Sequence, residues 1–250
     1  FICVGRDVNV YTTAGVFVTT FVNAVAAGTS DVGFCQYLTS TNTTSVIFTD
    51  GTTLSQVSTA MALTVCADAD LPTPHLPIPV FFDGYLLLVK ANTNDCYNSD
   101  LDLPLSWTPG NFISAEKNPD VLTGISTIND YFVLLGSESI EFFYDAGNPT
   151  GTPFARNDTF IKLNGFYSGL TKYGNSLVLI STPDSGTPDI SILDNFTLKS
   201  VGNQAIRRRL ASFGNSTAWV GNIVPSNGTD LYIFQQPGQK AYYIDLNTGL

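Results

Sequence analysis

"YFVLLGSESIEFFY", residues 131–144, is an apolar and aromatic run, a short polar stretch, and a second apolar run. Val, Leu, Ile, Phe and Tyr suit a pleated, half-buried surface, and residues 136–139 supply a reversal, so the stretch reads as a β-hairpin. Alternation with period two places Ile140, Phe142 and Tyr144 on one face and Glu141, Phe143 and Asp145 on the other. The same unit recurs as "ICVGRDVNVY" (2–11), "SVIFTDGTTLSQV" (45–57), "YLLLVKANTNDCY" (85–97), "SLVLISTPDSGTPDISIL" (176–193) and "LYIFQQPGQKAYYI" (231–244). Asp50-Gly51, residues 92–95, residues 184–186 and Pro237-Gly238 provide the positive or fixed φ that close reversals need.

These six hairpins start roughly 40 to 55 residues apart, the period of propeller blades; sandwich strands recur every 8 to 12 residues without a longer unit. Further strand-like runs at 16–25, 60–66, 160–163 and 217–224 lie between them and would complete four-stranded blades. A single blade cannot bury both of its apolar faces, so blades must stack to form a continuous core. The expectation is an all-β chain, one β-propeller domain over residues 1–250 with roughly six four-stranded blades, and a β-sandwich as the alternative. Helix is expected only as one short turn within residues 114–125, limited by Pro119. Trp107 and Trp219 flank strand-like runs and are read as core.

At 250 residues and 44% hydrophobic content the chain can bury a sizeable core. Charged residues are only 13% and the net charge is −10, which argues against a surface that grips nucleic acid by neutralising phosphates. A duplex sliding through a pore would instead be served by a neutral or mildly repelling wall. Cys3, Cys35, Cys66 and Cys96 are scattered without a C-x-x-C pair, so free thiols are expected rather than a zinc site. No run reaches the roughly 18 apolar residues of a spanning helix. Five N-x-[ST] sequons, at Asn42, Asn157, Asn195, Asn215 and Asn227, would matter in a secreted eukaryotic protein, but Asn/Thr-rich turns generate such triplets by chance and they do not settle the compartment.

Candidate chemistry is sparse. Glu138, Glu141 and Asp145 are the acids to weigh for glycoside hydrolysis, but they share one hairpin and are read as solvated or interface carboxylates. The sole histidine, His75, sits in the proline-rich "LPTPHLPIPV" with no nucleophile elbow anywhere in the chain. Asp68 and Asp70 are too few for a confident calcium site. "AIRRRL" (205–210) carries the one basic cluster. Read as a strand, it points Arg207 and Arg209 to one face and Arg208 to the other; it is either a solvated strand or loop, or a contact to an acidic partner or DNA phosphate.

"FDGYLLL" (82–88), "SWTPGNFISAEKNPD" (106–120), "GSESIEFFYDAG" (136–147) and "PFAR" (153–156) follow the acidic-Leu-Pro stretch that opens at Asp68. In that order they resemble the packaged-DNA stabilisation proteins of short-tailed, podovirus-like bacteriophages, also called tail nozzle or tail accessory proteins. The similarity continues through "AIRRRL" to "AYYIDLNTGL" (241–250) and covers about three quarters of the chain. Before residue 68 it is confined to the strand pattern, and the basic "QAIRRRL" stands where an acidic continuation is expected.

The resemblance implies a virion structural β-propeller that is not an enzyme and has no catalytic residue, cofactor or metal. It implies a homohexameric ring whose lumen passes double-stranded DNA, with the portal-adaptor protein on one side and a tail needle, tip or spike protein on the other. Assembly would occur in the host cytoplasm without stable membrane insertion, and the chain would lack the family's native N- and C-terminal segments. The alternative is a carbohydrate-binding or glycan-degrading propeller protein.

Overall fold

The computed structural model describes residues 1–28, 31–118, 120–162, 167–182, 187–213, 219–236 and 238–247. Six antiparallel sheets account for its strands. The first is β1 (Ile2–Val4), β2 (Asp7–Tyr11) and β3 (Phe17–Phe21); the second is β4 (Gly33–Leu38), β5 (Thr44–Thr49), β6 (Leu54–Ser58) and β7 (Leu63–Val65). The third holds β8 (Val80–Phe82), β9 (Tyr85–Val89), β10 (Asp95–Asn98) and β11 (Phe112–Ser114), and the fourth β12 (Leu122–Ile128), β13 (Tyr131–Gly136), β14 (Ser139–Asp145) and β15 (Phe154–Lys162). The fifth holds β16 (Tyr167–Tyr173), β17 (Ser176–Ser181), β18 (Asp189–Asp194) and β19 (Thr197–Ser200); the sixth holds β20 (Val220–Ser226), β21 (Thr229–Gln235) and β22 (Tyr242–Asp245).

This is the blade set of a six-bladed, all-β propeller, and a sandwich of two packed sheets does not describe it. Each anticipated hairpin is one strand pair of a different sheet: β1–β2, β5–β6, β9–β10, β13–β14, β17–β18 and β21–β22. The additional strand-like runs fall on β3, β7, β15 and β20. The turns expected at 184–186 and at Pro237, together with Pro119 and Asn215, lie outside the described residues.

Helix falls elsewhere than expected. Residues 114–125 contain the end of β11 and the start of β12, and α1 (Gln204–Ala211) is instead formed by the basic segment. Its run of Ala, Ile, Arg and Leu has good helix propensity. Asn203 caps it from an extended conformation, its side chain accepting from the Ile206 amide at 2.9 Å.

The chain divides into two compact units, one of Phe1–Glu116, Val121–Ser126 and Asp145–Ala155 and one of Lys117–Asp120, Thr127–Tyr144 and Arg156–Leu250. Within each, central strands are buried on both faces, as stacked blades require. In the first unit Ile47 joins Tyr37, Leu54, Leu86, Leu88 and Trp107, whereas its neighbour Phe48 joins Val8, Val25 and Val57. In the second, Leu177 and Leu179 pack with Val133, Leu135, Ile140 and Phe142, whereas Val178 and Ile180 pack with Leu210, Trp219, Tyr232 and Phe234. Each such side chain, withdrawn fully from water, contributes about 1.5–3 kcal/mol. Both tryptophans are core, with 4% and 5% of their surface exposed.

Turn chemistry fixes the hairpin ends. Asp50 Oδ1 accepts from the amides of Thr52 and Thr53 at 2.9 and 2.7 Å, and Gly51 takes φ +90°, closing β5 onto β6 with the Asx-type turn that Asp-Gly favours. Close backbone approach explains Gly33, where a Cβ would lie 2.0 Å from the Pro77 carbonyl oxygen.

Candidate interaction surface on helix α1

Successive residues on a helix are rotated by about 100°, so the three arginines diverge and Arg207 and Arg209 do not share a face as a strand would have had them. The short helix cannot hide its polar face, but its apolar face can be buried. Leu210 is 2% exposed and Ile206 packs beside it against Val178, Ile180, Tyr232 and Phe234. Arg208 and Arg209 occupy the last turn, where positive charge meets the negative end of the helix dipole. Ser212 closes that end, its amide donating to the carbonyls of Arg208 and Arg209 at 3.1 Å and its hydroxyl to Arg209 at 2.7 Å.

Each guanidinium has its own environment. Arg207 is tied down: its Nε lies 2.9 Å from Asp189 Oδ2 and its Nη2 donates to Ser200 Oγ at 2.7 Å. Asp189 is buried and also accepts from its neighbour's amide at 2.8 Å and from the Ser200 hydroxyl, so Arg207 balances a buried charge. Arg209 packs into the corner of two rings that meet edge to face, its guanidinium carbon 4.6 Å from the Phe213 centroid and 5.3 Å from that of Tyr242. Its Nε donates to the Tyr242 hydroxyl at 3.0 Å. Arg208 is exposed and forms no ion pair among the described residues. Only Arg208 and the outward N–H groups of Arg209 are therefore presented to a partner.

Beside this helix lies a cavity of about 370 Å³. Ala205, Ile206 and Arg209 of α1 line one side, and Phe234, Ala241 and Tyr242 of the β21–β22 hairpin line the other. Tyr243, 67% exposed, stands at its rim. The sequence carried no signal for this cavity, because it forms only once "AIRRRL" is helical and packed beside Tyr242.

The acidic candidates are otherwise engaged. Glu138 is exposed, but Glu141, read with it as a solvated or interface carboxylate, is fully buried within the chain. Its Oε2 lies 3.0 Å from Arg156 Nε, and its Oε1 accepts from the amides of Lys117 and Asn118 at 2.9 and 3.4 Å. Arg156 also lies 5.8 Å from the Phe143 ring centroid. Asp120 returns the link, accepting from the Glu138 amide and from the Ser139 hydroxyl at 2.8 Å. Two carboxylates thus latch Lys117, Asn118, Asp120 and Arg156 to the β13–β14 hairpin. Periodicity placed Glu141 on the correct strand face but could not show that Arg156 and two amides would meet it there.

Asp145 hydrogen-bonds Asp83, whose pKa is raised by desolvation, by that bond and by its neighbour's charge. Carboxyls in direct contact leave no room for the sugar ring that separates a glycosidase pair. His75 is a packing residue, 3% exposed, with Nδ1 donating to the Pro72 carbonyl at 2.7 Å and Nε2 2.6 Å from Thr49 Oγ1. Asp68 accepts from the amides of Asp70 and Trp107, each at 2.9 Å, and those bonds lower its pKa. Among the described residues no group of three or more His, Cys, Asp or Glu side chains is placed to hold a metal. The four cysteines are free, and no described helix is long and apolar enough to cross a membrane.

Comparison with known proteins gives one sequence-level match. The family model of the phage stabilisation proteins, described as bacteriophage P22 Gp10, β-propeller, matches residues 10–243. No curated protein sequence matches the chain. Among solved structures it is similar to the dihydro-heme d1 dehydrogenase NirN in complex with DHE, at 10% identity and a TM-score of 0.61. That likeness covers 98% of this chain and 50% of that one, so the chain spans half the length of this neighbour. It is also similar to virginiamycin B lyase from Staphylococcus aureus, at 10% identity and a TM-score of 0.51, covering 96% of this chain and 77% of that one. At such identities the likeness shows the propeller fold alone.

Proposed function

We propose, from the premise that this chain belongs to the bacteriophage P22 Gp10 β-propeller family of phage stabilisation proteins, that it is the tail nozzle of a short-tailed phage. In this role it plugs the filled head, retains packaged DNA and lines part of the ejection channel. The observation that carries the reading is the family match over residues 10–243, nearly the whole chain. In the virion it would form a homohexameric ring, bind the portal-adaptor protein on one side and a tail needle, tip or spike on the other, after assembly in the host cytoplasm.

The physical properties of the chain support this mechanical role. Strands buried on both faces make stiff walls, and a net charge of −10 repels rather than grips a passing duplex. The contact residues are those of α1: Arg208 and Arg209 offer forked N–H donors to acidic groups, and Arg207 holds the helix to β18 through Asp189. A glycan-degrading propeller finds less support, since Glu141 is consumed by the latch and Asp83 and Asp145 are in contact.

Immunogold electron microscopy of virions from the encoding phage tests the reading. Gold at the tail vertex is the expected result. Protein found free in the lysate and absent from virions would overturn it and direct attention to glycan binding. For the contact residues, charge reversal at Arg208 together with Arg209→Gln is expected to abolish capture of the adaptor ring. Undiminished capture would remove α1 from that interface.

A further inference from the structure

We infer that the cavity between α1 and the β21–β22 hairpin receives one large apolar side chain from an acidic segment of a partner protein. The inference rests on reading α1 as a partner contact and adds the chemistry of what binds there.

Three observations carry it. The cavity, about 370 Å³, sits at the low end of the roughly 300–1,000 Å³ of ligand pockets, a size for one side chain rather than an extended ligand. Its walls are apolar and aromatic: Ala205, Ile206, Phe234, Ala241 and the Tyr242 ring. Its charged member is Arg209, held in place by Phe213 and by the Tyr242 hydroxyl. A preorganised guanidinium loses little freedom on binding, and its uncommitted N–H groups suit a carboxylate beside the inserted residue.

Charge complementarity selects a protein segment over nucleic acid. The arginine run is the only one in a chain of net charge −10, and Arg207 is already spent on Asp189. That leaves about two cations, too few for a phosphate-tracking groove on an otherwise repelling surface, whose affinity scales with the number of phosphates neutralised. An acidic peptide is drawn to the same two cations, and its apolar residue gains the cavity, which a phosphate cannot use. Aromatic and arginine side chains around a desolvated pocket are also the usual composition of energetic centres at protein interfaces.

The test uses the full chain and three fluorescein-labelled probes followed by anisotropy. They are a peptide of alternating Asp and Glu with one central Trp, the same peptide with Ala in place of Trp, and a double-stranded DNA oligonucleotide. The Trp peptide is expected to bind at least roughly tenfold more tightly than the Ala peptide, the ratio expected of an anchor contributing about 1.4 kcal/mol. Ala205→Trp and Ala241→Trp fill the cavity without deleting a contact and are expected to abolish that difference; Arg208→Glu is expected to weaken both peptides.

Four results would overturn the inference: no peptide binding at millimolar concentration, equal binding of the two peptides, a preference for the Trp peptide undiminished in the filling variants, or DNA binding tighter than the Trp peptide and insensitive to the filling variants. The outcomes separate from those of the tail reading. Peptide binding by a protein absent from virions would sink the tail reading and leave the cavity standing. Gold at the tail vertex with A205W binding the Trp peptide like the parent would do the reverse.

Discussion

Replacing Glu141 by Ala should be among the most damaging single changes in the second unit. The substitution removes the partner of Arg156 at 3.0 Å and the acceptor of the Lys117 amide at 2.9 Å. Breaking a buried ion pair from one side destabilises by about 3–5 kcal/mol. The Arg156 side chain retains 25% exposure, so water can rescue part of that charge and the lower end applies. The orphaned amide adds about 1–3 kcal/mol, giving a total of roughly 4 kcal/mol. Glu141→Gln keeps a carbonyl for the amide and should lose about half as much. In urea, with an m-value of about 3 kcal/mol/M, Glu141→Ala should lower the midpoint by more than 1 M at unchanged slope. Amide hydrogen exchange gives the local readout, because Lys117 and Asn118 should lose protection before the rest of the unit. The double change Glu141→Leu with Arg156→Leu should destabilise by less than the sum of the singles, since each single strands a charge that the double removes. A loss below about 1 kcal/mol for Glu141→Ala, with protection at residues 117 and 118 intact, would refute the latch.

Gly33→Ala should destabilise by about 1–3 kcal/mol through overpacking, because its Cβ would meet the Pro77 carbonyl, a backbone atom that cannot rotate away; thermal unfolding checks it, and an unchanged midpoint would show that the Pro77 segment yields freely. His75 has its pKa lowered, chiefly by desolvation, so the unfolded chain takes up a proton more readily than the native one. Its contribution is fully present above the unfolded value of about 6.5 and is lost as pH falls from there through the folded value. Urea midpoints followed downward from pH 7.5 should decline more steeply for the parent than for His75→Gln, and parallel curves would remove His75 from the pH response. Burial pushes the Cys35 thiol up to about 12 and the Cys96 thiol higher still. Native protein at pH 8 should therefore leave both unmodified by iodoacetamide while unfolded protein reacts at all four cysteines; mass spectrometry showing native modification of Cys96 would contradict its burial.

The hairpins were legible because strand and turn chemistry are local. Val, Ile, Leu and aromatic runs around Asp50-Gly51 or residues 92–95 encode a reversal whatever surrounds them, and their roughly 40-to-55-residue spacing encoded the blade. The basic segment departs from the strand expectation for the opposite reason. Six residues of "AIRRRL" show neither period clearly, and a chain otherwise made of strands favours a strand there. The deciding signal lay just upstream, in Asn203 as a cap three residues before Ile206. Glu141 exposes a different limit, since face alternation says which side of a strand a carboxylate occupies and nothing about what waits there. Arg156, 15 residues later in sequence, and two loop amides make burial of that charge tolerable.

The placement of charge connects the fold to the proposed role. An acidic chain with one arginine run has few ways to attract a partner, and a strand would have spread those guanidinium groups over two opposite faces of a sheet whose faces are wanted for packing. A helix turns the same three residues outward in different directions while Leu210 keeps it seated on the core. Arg207 can then neutralise Asp189, Arg209 can be clamped by Phe213 and Tyr242, and Arg208 stays free for a contact. The division of labour carries a consequence that charge counting alone would miss: changing Arg207 should act first on stability, through the stranded Asp189 carboxylate, and changing Arg208 should act mainly on binding. Arg207→Gln should lower the thermal midpoint with Trp-peptide affinity preserved in whatever protein remains folded. Arg208→Gln should lower the midpoint only slightly, through the lost helix-end charge, and weaken the peptide. If both variants behaved alike in the two assays, the three arginines would be one diffuse patch, and the case for a shaped site on α1 would fall with that result.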